Sequence, residues 1–205
     1  MTKHLLTTVE QLEAHYGQPA GAAVWKEIEH INAQYRAFIE AAPFFVLASV
    51  GPEGVDCSPR GDAPGFVRVA DARTLMIPDR RGNNRIDSLR NIVRDPRVSL
   101  LFLIPGVGET FRVIGRAKIS TDPALLDTFV FAGKTPRAVI VVDVERVYFQ
   151  CSKAIIRSKL WEAETRVDRK SLPSNGTIIA AITQGREGGE EYDRAYPERL
   201  RQTIY

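Results

Sequence analysis

Six or more short apolar runs, joined mostly by hairpin-length connections, constrain this chain more than any other feature. Antiparallel strands can be linked by a tight turn, whereas parallel strands need a crossover of a dozen or more residues. No β-α-β rhythm runs through the 205 residues. The pattern therefore points to a mainly β, α+β fold, a β-barrel with helical excursions rather than a doubly wound sheet. The clearest unit is FFVLASVGPEGVDCSP, two strand-like runs about Gly51-Pro52-Glu53-Gly54, whose proline and glycines supply the backbone angles of a hairpin turn.

Further strands are expected over 66–70 and 74–78. A short helix follows over 84–93, where Ile86, Leu89, Ile92 and Val93 share a face and Asp95-Pro96 stops it. Strands over 97–104 and 109–120 come next. Asp122 as N-cap and Pro123 in the first turn then open a helix, and 137–150 returns to strand. Ahead of the barrel, Val24, Ile28, Ile31, Tyr35, Phe38 and Ile39 step by three and four, predicting one amphipathic helix over 20–42 that Pro43 ends. The reading is one domain over 1–205, with N-terminal helices in 1–42, a barrel core in 43–150, and C-terminal helices and an arm in 151–205.

Composition enters as a filter. Hydrophobic residues at 44% and charged residues at 26% place the chain among folding sequences. A net charge of +3 and a pI near 8.9 are too mild to argue for nucleic acid, though a small anion is within reach. The longest apolar runs, 44–50 and 98–104, fall far short of the roughly 18–20 residues of a membrane helix, so no membrane partner is expected. The opening MTKHLLTTVEQLEAHYG does not read as a secretory leader, and a cytoplasmic location is expected. Cys57 and Cys151 lie in strand-like stretches and are expected to be buried, reduced thiols. His4, His15 and His30 lack ligand spacing, so no metal is expected.

No GxSxG, HExxH, Walker loop or helix-opening GxGxxG is present, and no catalytic residue is assigned. The informative cluster is Pro78-Asp79-Arg80-Arg81-Gly82-Asn83-Asn84-Arg85, between a strand end and a helix start. Free amides and partial positive charge at a helix start favour an anion, and guanidinium groups clasp phosphate oxygens. Asn83 or Asn84 also has a purely structural use as a helix cap. A second polar island, Ser58-Pro59-Arg60-Gly61-Asp62, lets Arg60 reach the same anion. Gly61 would permit close approach of a flat ring, and Asp62 can accept a ring N–H or neutralise Arg60.

DPRVSLLFLIPG followed by FRVIGRAKIS resembles the core of the pyridoxamine 5′-phosphate oxidase family, over roughly 43–129. SPRGD, RRGNNR and CSKAIIRSKLW are similar to stretches of a further FMN-binding branch of that superfamily, for which no substrate is implied. The resemblance implies a split β-barrel with flanking helices and a homodimer with FMN at the interface. By position it puts Arg60 beside the flavin and Asp79 through Ser88 on the phosphate side. Thr110 stands where the oxidases carry a ring-contacting glutamine, and Lys159 and Trp161 are matched to their C-terminal contacts. RRGNNR departs from the family's compact Ser-Arg-Lys, and the C-terminal Arg-x-His substrate motif is missing. Pyridoxamine phosphate oxidation is therefore not the expected reaction. The resemblance implies an FMN-dependent oxidoreductase acting on a small molecule. A flavin carrier with little turnover, or a split barrel using deazaflavin or haem, are the alternatives.

Overall fold

The hairpin at 51–54 forms as its turn residues require. In the computed structural model, which describes residues 4–205, β1 (Phe44–Gly51) and β2 (Gly54–Gly61) pair in register from Phe44 opposite Gly61 to Gly51 opposite Gly54. Five more strands complete one antiparallel sheet: β3 (Arg68–Asp71), β4 (Thr74–Asp79), β5 (Arg97–Leu103), β6 (Thr110–Ser120) and β7 (Ala138–Gln150). Their order is β2-β1-β5-β6-β7-β4-β3, so β2 and β3 are the free edges. This is the split-barrel α+β fold expected above.

Period-two patterning decides which face closes inward. Phe45 and Leu47 on β1, Val98, Leu100 and Phe102 on β5, Phe111 and Val113 on β6, and Leu75 and Ile77 on β4 are all buried in one cluster. Aromatic contacts fill its centre, with the Phe45 and Phe102 rings 5.1 Å apart and Phe38 stacked on Phe111 at 5.8 Å. Midway along β6 a bulge shifts the register at Gly115, where a Cβ would collide with the Asp143 carbonyl oxygen. On β7 the run Ala138–Val142 is apolar without alternation because both of its faces are covered. Val139 and Val141 pack outward against Phe129 and against Leu125 and Leu126 of α5 (Pro123–Asp127).

Several expectations need correction. The helix expected over 20–42 is broken into α2 (Ala22–Trp25) and α3 (Ala33–Ala41), which follow α1 (Val9–Tyr16). Between them Ile28 exchanges two backbone hydrogen bonds with Val147, and the Ile31 amide donates to the Ala72 carbonyl. Sheet pairing has overridden helical periodicity there, and Asn32 caps the restarted helix through the Tyr35 amide at 2.8 Å. The helix expected from residue 84 begins later, as α4 (Asp87–Arg94). Its cap position is Ile86 in a left-handed conformation, with neither asparagine capping it. Asp122 caps α5 as expected, but the helix stops after five residues. Cys57 and Cys151 are exposed, not buried. Cys57 falls on the outer face of an edge strand, where alternation sends Asp56 and Ser58 inward instead.

Beyond β7 the chain continues through α6 (Lys153–Ser158), two short 3-10 turns, α7 (Asn175–Thr183) and α8 (Gly189–Thr203). No helix among the described residues is long and apolar enough to cross a membrane.

Truncating Phe111, fully enclosed between Tyr35 and Phe38, removes the aromatic that joins α3 to the sheet. Phe111→Ala is expected to cost about 3–5 kcal/mol in a urea unfolding experiment. A loss below 1 kcal/mol would contradict this packing.

Candidate functional site

The sheet does not close on itself, and the candidate site lies in the gap. β3 pairs with β4 only as far as Met76, so the far end of β4, Ile77–Asp79, keeps one edge free of strand partners. Pro78 fits there because it has no N–H to leave unmet on that edge, and Pro59 fits β2 for the same reason. Alternation on β2 turns Asp56, Ser58 and Arg60 toward the gap. They are partnered on β1 by Ser49, Leu47 and Phe45, which face the core.

Three polar contacts span the gap from β2 and the residues just after it. Ser88 on α4, itself buried, donates from Oγ to Asp56 Oδ2 at 3.1 Å. The Arg60 guanidinium approaches Asp79 Oδ1 at 3.8 Å. Arg80 Nε donates to Asp62 Oδ2 at 3.0 Å, and its Nη1 donates to the Phe129 carbonyl at 2.9 Å. Asp62, with only 3% of its side chain exposed, also accepts from the Tyr205 hydroxyl at 2.9 Å. That bond holds the Tyr205 phenol above its ordinary pKa, with burial adding to the effect.

The groove left between these contacts has a volume of about 320 Å³ and is lined by Arg60, Asp79, Arg80, Asn83, Asn84, Arg85, Ser88 and Arg137, among others. Burial pushes the Asp79 carboxyl up, while Arg60 and Arg137 pull it down less strongly. Arg85, largely exposed, pairs with Asp87 at 2.8 Å across one turn of loop. Asn83 accepts from the Arg85 amide at 3.1 Å. Asn84, left-handed at φ 63°, accepts from Arg137 Nη1 at 2.7 Å. Most arginines here thus already face an aspartate. Arg60 is nevertheless incompletely satisfied: its Nε is buried and meets no acceptor. A buried donor left without an acceptor costs roughly 1–3 kcal/mol, so an anion entering the groove meets a donor in need of it.

The structure brings Arg60, Asp79, Arg80, Asn83, Asn84, Arg85 and Ser88 to one groove. Gly61, Asp62 and Pro78 line a neighbouring cavity of about 380 Å³ that shares Arg60 and Arg80 with it. Thr110, Lys159 and Trp161 line neither cavity. Thr110 pairs with Gln150 at the start of β6, and Lys159 is the left-handed cap of α6. Trp161 donates from Nε1 to the Val107 carbonyl at 2.7 Å, which ties the C-terminal segment to the β5–β6 connection. Asp56, Arg137 and Tyr205 were not anticipated. Alternation with Arg60 was the signal available for Asp56, whereas nothing local marks Tyr205.

The sequence pattern of the family described as Pyridoxamine 5′-phosphate oxidase matches residues 31–151, more than half of the chain. The chain belongs to that family. No curated protein matches its sequence. Among solved structures, HupZ of Group A Streptococcus is 20% identical, with 60% of this chain and 95% of that one covered at a TM-score of 0.49. General Stress Protein 26 of Bacillus anthracis is 17% identical over 55% and 88% of the two chains, at 0.42. An FMN-binding protein of Syntrophomonas wolfei is 12% identical over 56% and 82%, at 0.44. Identities this low carry nothing about ligand or activity.

Arg80→Ala would leave Asp62 buried beside Tyr205 without its cation. The expected cost is about 3 kcal/mol of unfolding free energy, read as a lower urea midpoint. The exposed pair of Arg85 makes Arg85→Gln a control whose midpoint should not move.

Proposed function

We propose that this chain is an FMN-binding flavoprotein of the pyridoxamine 5′-phosphate oxidase family, and that the groove takes the phosphate end of the cofactor. The observation that carries the reading is Arg60. Its Nε is buried without an acceptor, and its contact with Asp79 is long, at 3.8 Å. The group it lacks is an oxyanion. Arg85, exposed and tied only to Asp87, can turn toward the same anion at little cost, because surface ion pairs contribute little. Arg137, held by neutral Asn84, adds a further cation. Ser88 Oγ can redirect its proton from Asp56.

Arg80, with Nε on Asp62 and Nη1 on the Phe129 carbonyl, lines the groove and also holds its wall. Gly61 and Pro78 present backbone with little side chain in the adjoining cavity, where a flat ring system would lie. Bound flavin would supply electron or hydride transfer to a small-molecule substrate, and the chain would bind it, orient it and exclude water.

The family resemblance also supports a homodimer, in which Thr110, Lys159 and Trp161 would approach the ring carried by the partner subunit. They lie outside the phosphate groove of their own chain, so a role for them in flavin binding depends on the second copy. The oxidoreductase reading and the carrier reading part at turnover.

An absorbance scan of purified protein and a titration of apoprotein with FMN test the proposal. Flavin bands and saturable uptake are expected, with sedimentation of a dimer. Protein that is colourless and leaves added FMN fluorescence unchanged would reject it, and a haem or deazaflavin spectrum would replace the cofactor. Arg60→Gln with Arg85→Gln should weaken FMN roughly tenfold or more for each charged hydrogen bond lost. Reduction by NAD(P)H followed by transfer to an acceptor would separate an oxidoreductase from a carrier.

A further inference from the structure

Near the start of the chain, α1 is capped at both ends. Thr8 accepts from the Gln11 amide at 3.3 Å, and the Gly17 amide donates to the Glu13 carbonyl at 2.8 Å. Every residue over 4–20 is nevertheless exposed. Helices shorter than about 12–15 residues are marginal in water without packing, so the eight residues of α1 need a surface to lie on. Val9, Leu12 and Tyr16 step by three and four along one face and are 64%, 47% and 77% exposed. Glu10 and Glu13 flank that face.

A segment of opposite charge leaves the end of the sheet to which this arm is fastened. Just after α2, Ile28 pairs with Val147 of β7, and Lys26 Nζ stands 5.0 Å from the centre of the Phe149 ring. β7 ends at Gln150 and runs on into α6. Ile156 on α6 is 66% exposed, and Leu160 just beyond it is 47% exposed. Lys153, Arg157 and Lys159 are interleaved with them and exposed too. No lysine or arginine occurs over 4–25, and no acid over 151–161. Among the described residues, neither glutamate of α1 and none of these three cations joins an ion pair.

We propose that α1 docks on α6 of a second copy of this chain, acid to base, and that the second copy's α1 docks on this chain's α6 in return. A two-fold dimer requires a self-complementary surface, on which each contact occurs twice. An acidic apolar helix and a basic apolar helix on one chain make such a surface. A lipid bilayer fits α1 less well, because membrane-surface helices carry lysine and arginine on their polar face and this one carries glutamate. The chain's own α6 leaves α1 uncovered. The inference rests on the homodimer reading and deepens it, placing the exchanged helix directly before Lys159 and Trp161.

Sedimentation over a concentration series at low ionic strength, where charge pairs are least screened, tests the exchange with two charge reversals. One is Glu10→Lys with Glu13→Lys, and the other is Lys153→Glu with Arg157→Glu. Lys159 is kept because it is a candidate flavin contact. All four substituted side chains are exposed, so the urea midpoints are expected to match the parent's. Each variant alone is expected to dimerise roughly tenfold or more weakly, since like charges then meet at both copies of the contact. An equimolar mixture of the two variants is expected to recover the parent's affinity, because both α1–α6 contacts of the heterodimer regain opposite signs. Dimers unmoved by either reversal would overturn the exchange and leave the homodimer reading standing, whereas a parent that is monomeric throughout would reject both. Weakened dimers that mixing fails to restore would also overturn it. Parent protein that co-sediments with phosphatidylserine vesicles while its dimer ignores the reversals would assign α1 to a lipid surface instead.

Discussion

The ion pair between Asp62 and Arg80 is the contact on which the arrangement of the site depends. A seven-stranded antiparallel sheet with free edges at β2 and β3 has to be held together across its gap by side chains, because the backbone ladder stops. Asp62 lies one residue beyond β2 and Arg80 one residue beyond β4, so their bond spans the opening beside the Ser88–Asp56 and Arg60–Asp79 contacts. Asp62 is anchored further by its own amide on the Pro43 carbonyl and by the Tyr205 hydroxyl. A buried carboxylate is tolerable only with such partners, and the same partners set the width of the groove beside it.

Charge is distributed accordingly. Near the barrel Arg60, Arg80 and Arg85 each stand against an aspartate. Away from it acids are fewer: Arg81 makes no ion pair or side-chain hydrogen bond among the described residues, and Arg137 stands between neutral Asn84 and Asp79. The modest overall charge of +3 conceals this contrast, since sites respond to local excess and not to the sum over a chain. Asp79 sits on the boundary, its carboxyl pushed up by burial and pulled down less strongly by Arg60 and Arg137.

Much of the barrel was legible in order along the chain. Turn chemistry at 51–54, the Asp122-Pro123 helix start and period-two burial in β1, β5 and β6 are local signals, and the structure keeps them. The failures share a cause. Ile28 and Ile31 step with a helix on paper, yet both pair their backbones with distant chain, Ile28 with Val147 and Ile31 with Ala72. Cys57 reads as an apolar strand residue but falls on the exposed side of an edge. Arg80 and Arg85 look equivalent in RRGNNR, and only the fold gives one a buried aspartate and leaves the other in solvent.

The sequence by itself determined that strands would alternate with tight turns, that a basic loop would join a strand to a helix, and that the chain would resemble a known family. Those properties are carried by neighbours within a few residues, where turn propensity, capping and side-chain alternation act. The tertiary structure alone decided where the sheet would remain open, which arginines would be neutralised, and that Tyr205 would meet Asp62 from the other end of the chain. Such outcomes depend on residues tens to hundreds of positions apart being packed together, and no local pattern encodes that proximity.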